Sequence, residues 1–421
     1  MKRTSQVTCM VVDTGLFAEA AVTLARSMKK VYYCNPGWVG ASPRPHDAEV
    51  GEGMEGIEVV GDVHDHFDDV DLYCFFDIYF GPLQVWLESQ GKMVWGSRMA
   101  EELEIDRIKC REVMKDAGLP VAPGRVIVGM DALRKFLAAN EDKYVKINKW
   151  RGVLETVYAE KYWLVKPVLD RLEWKLGPDA KTTPFLVEDK MEDCVSLGTD
   201  AWMVDGDLPE RHMAGIEIKD LCYVARMMDR ADIPEPVRKF EEEMSDKFAA
   251  YGYRGLYSTE NMIGKDRVPH MNDFCARMGS PPGELEQYIL TNFADICWYG
   301  ANGLMTEPEE AAEFGAQAII SSPWAECNDL PILIPDEFRR QVKLRNAIKD
   351  GDKYYCRPQE VPAPEIGSIV AVGDTLEEAV EQIREIAGSI RGHQIEIPLH
   401  AFDSAHEEME KAAKFKLDFF K

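Results

Sequence analysis

The first hundred residues alternate short apolar runs with amphipathic helical patterns, and this alternation restricts the fold more than any other feature of the sequence. The helical patterns, such as Ala18–Met28 and Leu83–Gln90, lie between the apolar runs. Parallel strands require crossover helices, and strands covered on both faces are apolar throughout. The pattern therefore predicts an α/β fold with a parallel N-terminal sheet. The predicted strands are Val7–Val12, Val31–Tyr33, Leu72–Phe76 and Met93–Trp95.

The chain is strongly acidic, with a net charge of −25 and a sequence pI of about 4.8. Such a surface repels polyanions, so we expect no nucleic-acid or membrane partner. A phosphate ligand would need local cations and a metal ion. The 421 residues, 46% hydrophobic and 29% charged, have the composition of a globular protein with two to four domains.

The ten cysteines are scattered, without a CxxC pair or a close cluster. This spacing indicates neither a disulfide framework nor a zinc site, and it favours a reducing compartment. The first residues, MKRTSQVTCMVVDTG, lack a signal-peptide pattern, and no apolar run reaches about 18 residues. We therefore expect a cytoplasmic protein.

The stretch Gly252–Gly283 predicts two short strands joined by a turn at Gly264-Lys265-Asp266. Glu260 lies on the first strand, and Asp273 and Arg277 follow on the second. If the strands pair as a hairpin, the two carboxylates come close together, and they repel each other unless a cation lies between them. The stretch therefore indicates a magnesium site with an arginine for phosphate. An ordinary hairpin with solvated acids is the alternative.

Two further polar residues lie at predicted strands. Lys146 lies between apolar residues of the strand Lys143–Asn148, where it either meets a nucleotide phosphate or extends to water. Glu188 follows the apolar part of Phe185–Met191, where a carboxylate can accept a hydrogen bond from an adenine amino group. Each signal is weak alone.

The patterns elsewhere predict longer elements. One helix is expected over Met99–Gly118, ended by Gly118-Leu119-Pro120, and another over Leu285–Gly300. A single strand is expected over Ile216–Ala225. A capping box at Thr375–Glu378 begins a further helix.

The order of these features resembles the ATP-grasp superfamily, and more closely the branch that contains glycinamide ribonucleotide synthetase. The resemblance covers most of the chain and includes Gly81–Gly96, Asp106–Pro120 and the terminal unit Gly367–Gly388. It implies a pre-ATP-grasp domain over residues 1–100 and a two-lobed ATP-grasp domain over 101–325, with a small lobe at about 120–190. A small α/β domain over 326–421 completes the implied division.

The resemblance also implies roles for individual residues. Arg107 stands where the family usually has a lysine that contacts ATP phosphate, and Lys146 matches the second ATP lysine. Glu188 matches the acid at the adenine pocket. Glu260 and Asp273 match the two magnesium-binding acids, the second of which is usually glutamate.

The sequence also departs from the family. The flap over the phosphates has a single glycine, so Arg151 or Lys149 is expected to contact ATP through its side chain. Cys275 stands in place of a metal-ligating asparagine, and sulfur is a poor partner for magnesium.

Two residues remain as catalytic candidates. Arg277 matches the arginine that follows the second acid, and together with the loop Gly279–Gly283 it is expected to bind the substrate carboxylate. Lys219 lies in Gly215–Met228, where the glycine-rich substrate segment of the family is not recognisable.

The implied activity is that of an ATP-dependent carboxylate–amine ligase, with ATP and Mg²⁺ and an acyl-phosphate intermediate. Its substrates would be a small carboxylate, such as an amino acid, and an amine, and the chain could form a homodimer. A non-catalytic nucleotide-binding protein that retains the same fold is an alternative. A nicotinamide-dependent oxidoreductase is disfavoured, because the turn at Asp13-Thr14-Gly15 lacks a GxGxxG motif.

Overall fold

The N-terminal unit is built on a five-stranded parallel sheet. The computed structural model describes residues 1–36, 49–149, 156–358 and 363–420, and the backbone of 38–39 and 42–43. The elements of this unit are β1 (Thr8–Val12), α1 (Ala18–Ala25), β2 (Lys30–Cys34), β3 (Trp38–Val39), β4 (Ser42–Pro43), β5 (Ile57–Val59), β6 (Leu72–Phe75), α2 (Gly81–Ser89) and β7 (Met93–Trp95). The sheet has the order β5-β2-β1-β6-β7 with every pair parallel, which confirms the predicted fold class.

A second, antiparallel sheet of four strands occupies residues 124–189. Its strands have the order β10-β9-β11-β8, and α5 and α6 supply apolar side chains to a core of their own. We call this part the small lobe. The helices α3 (Glu102–Ile105) and α4 (Arg107–Asp116) precede the small lobe, whose elements are β8 (Gly124–Val128), α5 (Met130–Leu137), β9 (Lys143–Ile147), β10 (Thr156–Ala159), α6 (Tyr162–Leu176) and β11 (Pro184–Asp189).

The third and largest sheet has eight strands in the order β16-β15-β12-β13-β14-β17-β22-β19. We call it the central sheet. Its elements and those that follow are β12 (Val195–Val204), β13 (Arg211–Ile218), β14 (Cys222–Asp229), α7 (Glu235–Ala250), β15 (Arg254–Ile263), β16 (Pro269–Cys275), α8 (Pro282–Ile289), α9 (Phe293–Ala301), β17 (Phe314–Ser321), β18 (Leu330–Leu333), β19 (Val342–Leu344), β20 (Ala347–Asp350), β21 (Lys353–Cys356), β22 (Glu365–Gly373), α10 (Leu376–Ser389), β23 (Arg391–Gly392) and α11 (Ala401–Lys414).

The central sheet crosses the predicted boundary between residues 325 and 326. Strands β19 and β22 come from the C-terminal part of the chain, and β22 pairs with β17 along most of its length. A smaller sheet of β20, β21, β18 and β23 lies in the same part. The division into three domains therefore remains a prediction. None of the described helices has the length and apolar character that a membrane crossing requires.

Two helices that were expected to be continuous are interrupted. The helix predicted over Met99–Gly118 divides at Asp106, whose side chain accepts a hydrogen bond from the backbone N–H of Lys109 at 3.0 Å and so begins α4. The helix predicted over Leu285–Gly300 divides after α8, because Leu290 leaves the helix to form a β-bridge with Glu310.

The strand predicted over Ile216–Ala225 is also wrong. The structure has two antiparallel strands, β13 and β14, joined by a turn at residues 219–221. Asp220 adopts a left-handed φ of 60°, which aspartate tolerates better than most residues. The turn places Lys219 at the end of a strand, at the edge of the region described next.

Candidate functional site

A chamber of about 420 Å³ lies between the small lobe, α4 and the hairpin of β15 and β16. Apolar side chains from α3, α4, β11, β16 and the segment before β8 contribute to its walls, and charged or amide groups lie among them. The apolar members include Leu103, Met114, Val121, Leu186, Met271 and Phe274, and the polar ones include Arg107, Arg111, Lys146, Glu188, Asn272 and Asp273. Apolar walls with a few convergent polar groups are typical of small-molecule sites.

Lys146 connects the two sheets that border this chamber. Its ammonium group lies 3.1 Å from Glu188 Oε2 within the small lobe. It also donates to the backbone oxygen of Asn272 at 2.7 Å and to Asn272 Oδ1 at 3.1 Å, on the hairpin of the central sheet. The lysine is buried and paired, so the alternative that it extends freely into water is wrong.

Two arginines on α4 contact the partners of Lys146: one binds Glu188 of the ion pair, and the other binds β9, the strand that carries Lys146. Arg111 donates to Glu188 Oε1 at 3.0 Å, so each carboxylate oxygen of Glu188 has a cationic partner. Arg107 is buried and donates to the backbone oxygen of Ile147 at 3.0 Å. Arg107, Lys146 and Glu188 therefore line one chamber, and their contact with a nucleotide stays a prediction.

A second chamber adjoins the first through Asp273, which lines both. It has a volume of about 540 Å³, part of it open to solvent, and it lies on the central sheet. Its walls are formed by strands β12 to β16 and by the loop before α8. The residues are Ser196, Gly198, Asp200, Gly215, Glu217, Lys219, Tyr223, Ser258, Thr259, Glu260, Asp273, Cys275, Ser280 and Pro282.

Glu260 and Asp273 are direct partners across β15 and β16, and their side chains therefore point to the same face of the hairpin. The register shifts after Glu260, which leaves Asn272 as the unpaired residue of a bulge. Bulges redirect side chains. Here Asn272 donates to Glu260 Oε2 at 2.6 Å, and Ser196 donates to Glu260 Oε1 at 2.6 Å.

This carboxylate pair suits a magnesium ion. Mg²⁺ is usually bound through one or two carboxylates together with phosphate oxygens and water, rather than by a complete cage of protein ligands. In keeping with this, no three His, Cys, Asp or Glu side chains in the described ranges are grouped closely enough to hold a metal by themselves. Cys275 lines the second chamber next to the pair, where it adds no oxygen ligand.

Lys219 extends over the second chamber from the turn between β13 and β14. Its Nζ lies 3.8 Å from Glu217 Oε1, and its side chain is 75% exposed. Burial raises the pKa of Glu217 to about 7, although Lys219 opposes this shift. The nearby carboxylate of Glu217 raises the pKa of Lys219, so the lysine is charged at neutral pH.

Arg277 lies outside the residues that line the two chambers. Its Nε donates to Glu104 Oε1 at 3.0 Å and lies 3.4 Å from Asp77 Oδ1. Glu104 also accepts from the backbone N–H of Ala276 at 2.8 Å, and it lines the first chamber. The arginine thus joins α3, the hairpin and the N-terminal sheet. Its predicted contact with a substrate carboxylate stays a prediction.

Arg151, the remaining candidate for phosphate contact, lies outside the described residues. Lys149, its alternative, forms an exposed ion pair with Asp106 at 3.3 Å.

Sequence reasoning missed three side chains that shape the chambers. Arg111 follows Arg107 by one helical turn, and this i,i+4 spacing was an available signal. Asn272 acquires its role from a bulge, and Asp200 is the one charged residue of a long, mostly apolar strand, so neither had a local signature.

Solved structures show the fold of the whole chain. Phosphoribosylamine–glycine ligase from Thermotoga maritima matches with a TM-score of 0.67 and 15% identity, over 93% of this chain and 99% of that one. The biotin carboxylase domain of 2-oxoglutarate carboxylase from Hydrogenobacter thermophilus, in complex with MgADP, ADP and bicarbonate, matches with a TM-score of 0.64 and 13% identity, over 98% and 99% of the two chains.

A third match is N5-carboxyaminoimidazole synthetase from Staphylococcus aureus complexed with ADP, with a TM-score of 0.59 and 11% identity, over 91% and 98% of the two chains. No protein-family model and no curated protein matches the sequence. The fold is of the mixed α/β class with one parallel and several antiparallel sheets. More specifically, the chain has the ATP-grasp fold that these enzymes share, as the sequence resemblance predicted.

Proposed function

We propose that the chain is an ATP-dependent ligase that joins a small carboxylate to an amine. The observation that carries this proposal is that the two chambers adjoin at Asp273, which lines both. One chamber has apolar walls and paired cations, and the other has a carboxylate pair and a single lysine. A nucleotide in the first chamber would direct its terminal phosphate toward the second.

In this proposal the adenine ring lies between the apolar walls of the first chamber. Arg107 and Lys146 bind phosphate oxygens, and Glu188 orients the base. Arg151 contributes from the flap. Because Lys146 and Glu188 are paired in the structure, nucleotide binding exchanges part of this ion pair for contacts with ATP.

Glu260 and Asp273 would hold Mg²⁺, which supplies charge neutralisation at the phosphates. Lys219 and Arg277 are the proposed catalytic residues. A carboxylate oxygen of the substrate attacks the γ-phosphorus, and ADP leaves. The amine then attacks the acyl carbon of the acyl phosphate, inorganic phosphate leaves, and the nitrogen loses a proton. The protein positions the reactants and stabilises charge, without a covalent nucleophile.

The similarity to phosphoribosylamine–glycine ligase supports a finer proposal, in which an amino acid is the carboxylate and a sugar amine is the acceptor. The test incubates the protein with ATP, Mg²⁺ and a panel of amino acids, with and without phosphoribosylamine, and measures ADP release. We expect release that depends on one amino acid. Absence of amino-acid-dependent ADP in every mixture would contradict the ligase proposal.

Variants of the hairpin formed by β15 and β16 test whether the metal site of the proposed activity lies there. Glu260→Gln and Asp273→Asn should each lower the rate of ADP release by at least about 100-fold, because each removes a charge from the proposed metal site. Asp266→Asn is the matched control, since Asp266 is exposed in the turn of the same hairpin. Circular dichroism should show the same fold for all three. Full activity in both site variants would mean that the metal site lies elsewhere.

Cys275 favours a second candidate function. A thiol beside the carboxylate pair weakens the site for a hard metal, so the chain could bind nucleotide without turning it over. Nucleotide binding without any ADP release, at saturating Mg²⁺ and across the panel, would support this alternative.

A further inference from the structure

Asp200 lines the second chamber. It lies on β12, and only 3% of the residue is exposed. The hydroxyl of Tyr223 donates to Oδ2. Ser258 is a second hydrogen-bonding side chain beside this carboxylate, and Oδ1, which is itself buried, has no partner among the described residues at a good hydrogen-bond distance and angle. The carboxylate therefore retains accepting capacity where it borders the chamber.

The charges of the second chamber do not balance. Four carboxylates line it, and Lys219 is the one lysine or arginine in that lining. Lys219 lies beside Glu217, and Glu260 and Asp273 are taken by the proposed metal ion. Asp200 is left. A carboxylate buried this deeply is costly, and burial raises the pKa of Asp200 to about 6, although Ser258, Tyr223 and His212 oppose this shift.

Two glycines keep the space above Asp200 open. A Cβ on Gly215 would lie 2.2 Å from the hydroxyl of Tyr223, and a Cβ on Gly198 would lie 1.9 Å from the backbone oxygen of Thr259. A side chain at position 215 would displace the Tyr223 hydroxyl, which donates to Asp200, and a side chain at position 198 would displace the neighbouring strand. The second chamber is therefore built around an acidic group with little side-chain bulk beside it.

We propose that Asp200 binds the ammonium group of a small substrate in the second chamber. This inference rests on the proposed ligase function and adds to it a specificity-determining residue and a charge for the ligand. The ammonium donates to Oδ1 while Tyr223 holds Oδ2. The ammonium belongs either to an amino acid that supplies the carboxylate or to a separate amine, and the same carboxylate recognises both.

The test measures binding by calorimetry, with Mg²⁺ and a non-hydrolysable ATP analogue present, for glycine, methylamine and acetate. Asp200→Asn keeps the size of the side chain and an acceptor for Tyr223 but removes the charge. We expect glycine or methylamine to bind Asp200→Asn at least tenfold more weakly than the wild-type protein, with acetate unchanged. Asp229→Asn, an exposed position on β14, should bind all three as the wild type does.

The two sources of the ammonium are distinguished by the probes. Binding of glycine without methylamine assigns the group to an amino acid, and binding of methylamine assigns it to a separate amine. Thermal unfolding checks that Asp200→Asn folds. If it does not, Tyr223→Phe serves instead, because loss of its hydroxyl should weaken ammonium binding about threefold.

Equal binding of the ammonium probes to wild type and Asp200→Asn would overturn the inference, as would a wild-type protein that binds neither probe. These outcomes are separable from failure of the ligase proposal. ADP release that persists unchanged in Asp200→Asn at every glycine concentration would support the ligase and remove Asp200. Charge-dependent glycine binding without ADP release would support the role of Asp200 and contradict the ligase proposal.

Discussion

Lys146 and Glu188 form a buried ion pair of 3.1 Å although they are not partners in the register of their strands. Lys146 lies opposite Leu186, and Glu188 lies opposite Tyr144, so the two side chains meet diagonally. This diagonal leaves the lysine free to reach Asn272 on the hairpin as well. A single ammonium group thus bridges the small lobe and the central sheet at the proposed nucleotide site.

Lys146→Met should weaken ATP binding by at least about tenfold, because it removes a cation that the phosphates would meet. Lys143→Met is the control, because Lys143 lies on the same strand and pairs with Asp189 at 3.0 Å. This variant should keep an affinity for ATP within about twofold of the wild type. Titration with a fluorescent ATP analogue measures both. Equal affinities for the two variants would remove Lys146 from the site.

Cys275→Asn should lower the Mg²⁺ concentration needed for nucleotide binding, by about threefold or more. The reason is that an amide oxygen is a harder ligand than a thiol, and the residue lies beside Glu260 and Asp273 in the second chamber. Nucleotide titrations at a series of Mg²⁺ concentrations check the shift. Cys327→Asn, at an exposed cysteine, controls for the loss of a thiol. An unchanged Mg²⁺ requirement would indicate that position 275 does not contact the metal.

Arg277→Met should lower the free energy of unfolding by about 3–5 kcal/mol, because it leaves Glu104 and Asp77 without their shared cation. The double variant with Glu104→Gln should recover part of this loss, since one of the uncompensated charges is then absent. Urea denaturation measures both variants. A single variant as stable as the wild type would show that Arg277 is not a structural cation, and would strengthen its proposed contact with substrate.

Lys343 on β19 is 1% exposed, and no described residue forms a hydrogen bond with its Nζ. Burial lowers its pKa from 10.5 to about 7. Between these values the unfolded chain binds more protons than the folded chain, so stability rises with pH in this window. Lys343→Met should therefore stabilise the protein at pH 7 by about 1 kcal/mol or more, and the gain should shrink as the pH approaches 10.

Urea denaturation at pH 7, 8 and 9 tests the Lys343 prediction. Lys353→Met, at an exposed lysine, is the control and should show no such trend. A gain that does not depend on pH would mean that the lysine remains charged in the folded protein.

The sequence predicted the class of fold and the strands that carry Lys146, Glu188, Glu260 and Asp273. These residues lie on apolar strands or on the strands of a hairpin, and a local sequence pattern can predict both of these features. The single strand expected over Ile216–Ala225 was wrong because the turn at residues 219–221 contains neither glycine nor proline, and aspartate supplies the left-handed residue.

Contacts between distant segments were harder to predict. Asn272 depends on a bulge, which is a property of two paired strands and not of one sequence. Arg277 is paired with Glu104, which is 173 residues away in the sequence, and this contact had no local signal. No spacing rule connects such residues, since their proximity follows from tertiary packing.

The central sheet has a consequence for any shortened form of the protein. Strand β17 depends on β22 for one of its two neighbours, and β22 in turn pairs with β19. A fragment that ended at residue 325 would keep β14 beside β17 but would leave unpaired the N–H and C=O groups of β17 that face β22, along a largely buried, apolar strand. Such an edge recruits other chains. We therefore expect a fragment of residues 1–325 to aggregate when it is expressed alone, because the C-terminal segment covers this edge in the intact protein.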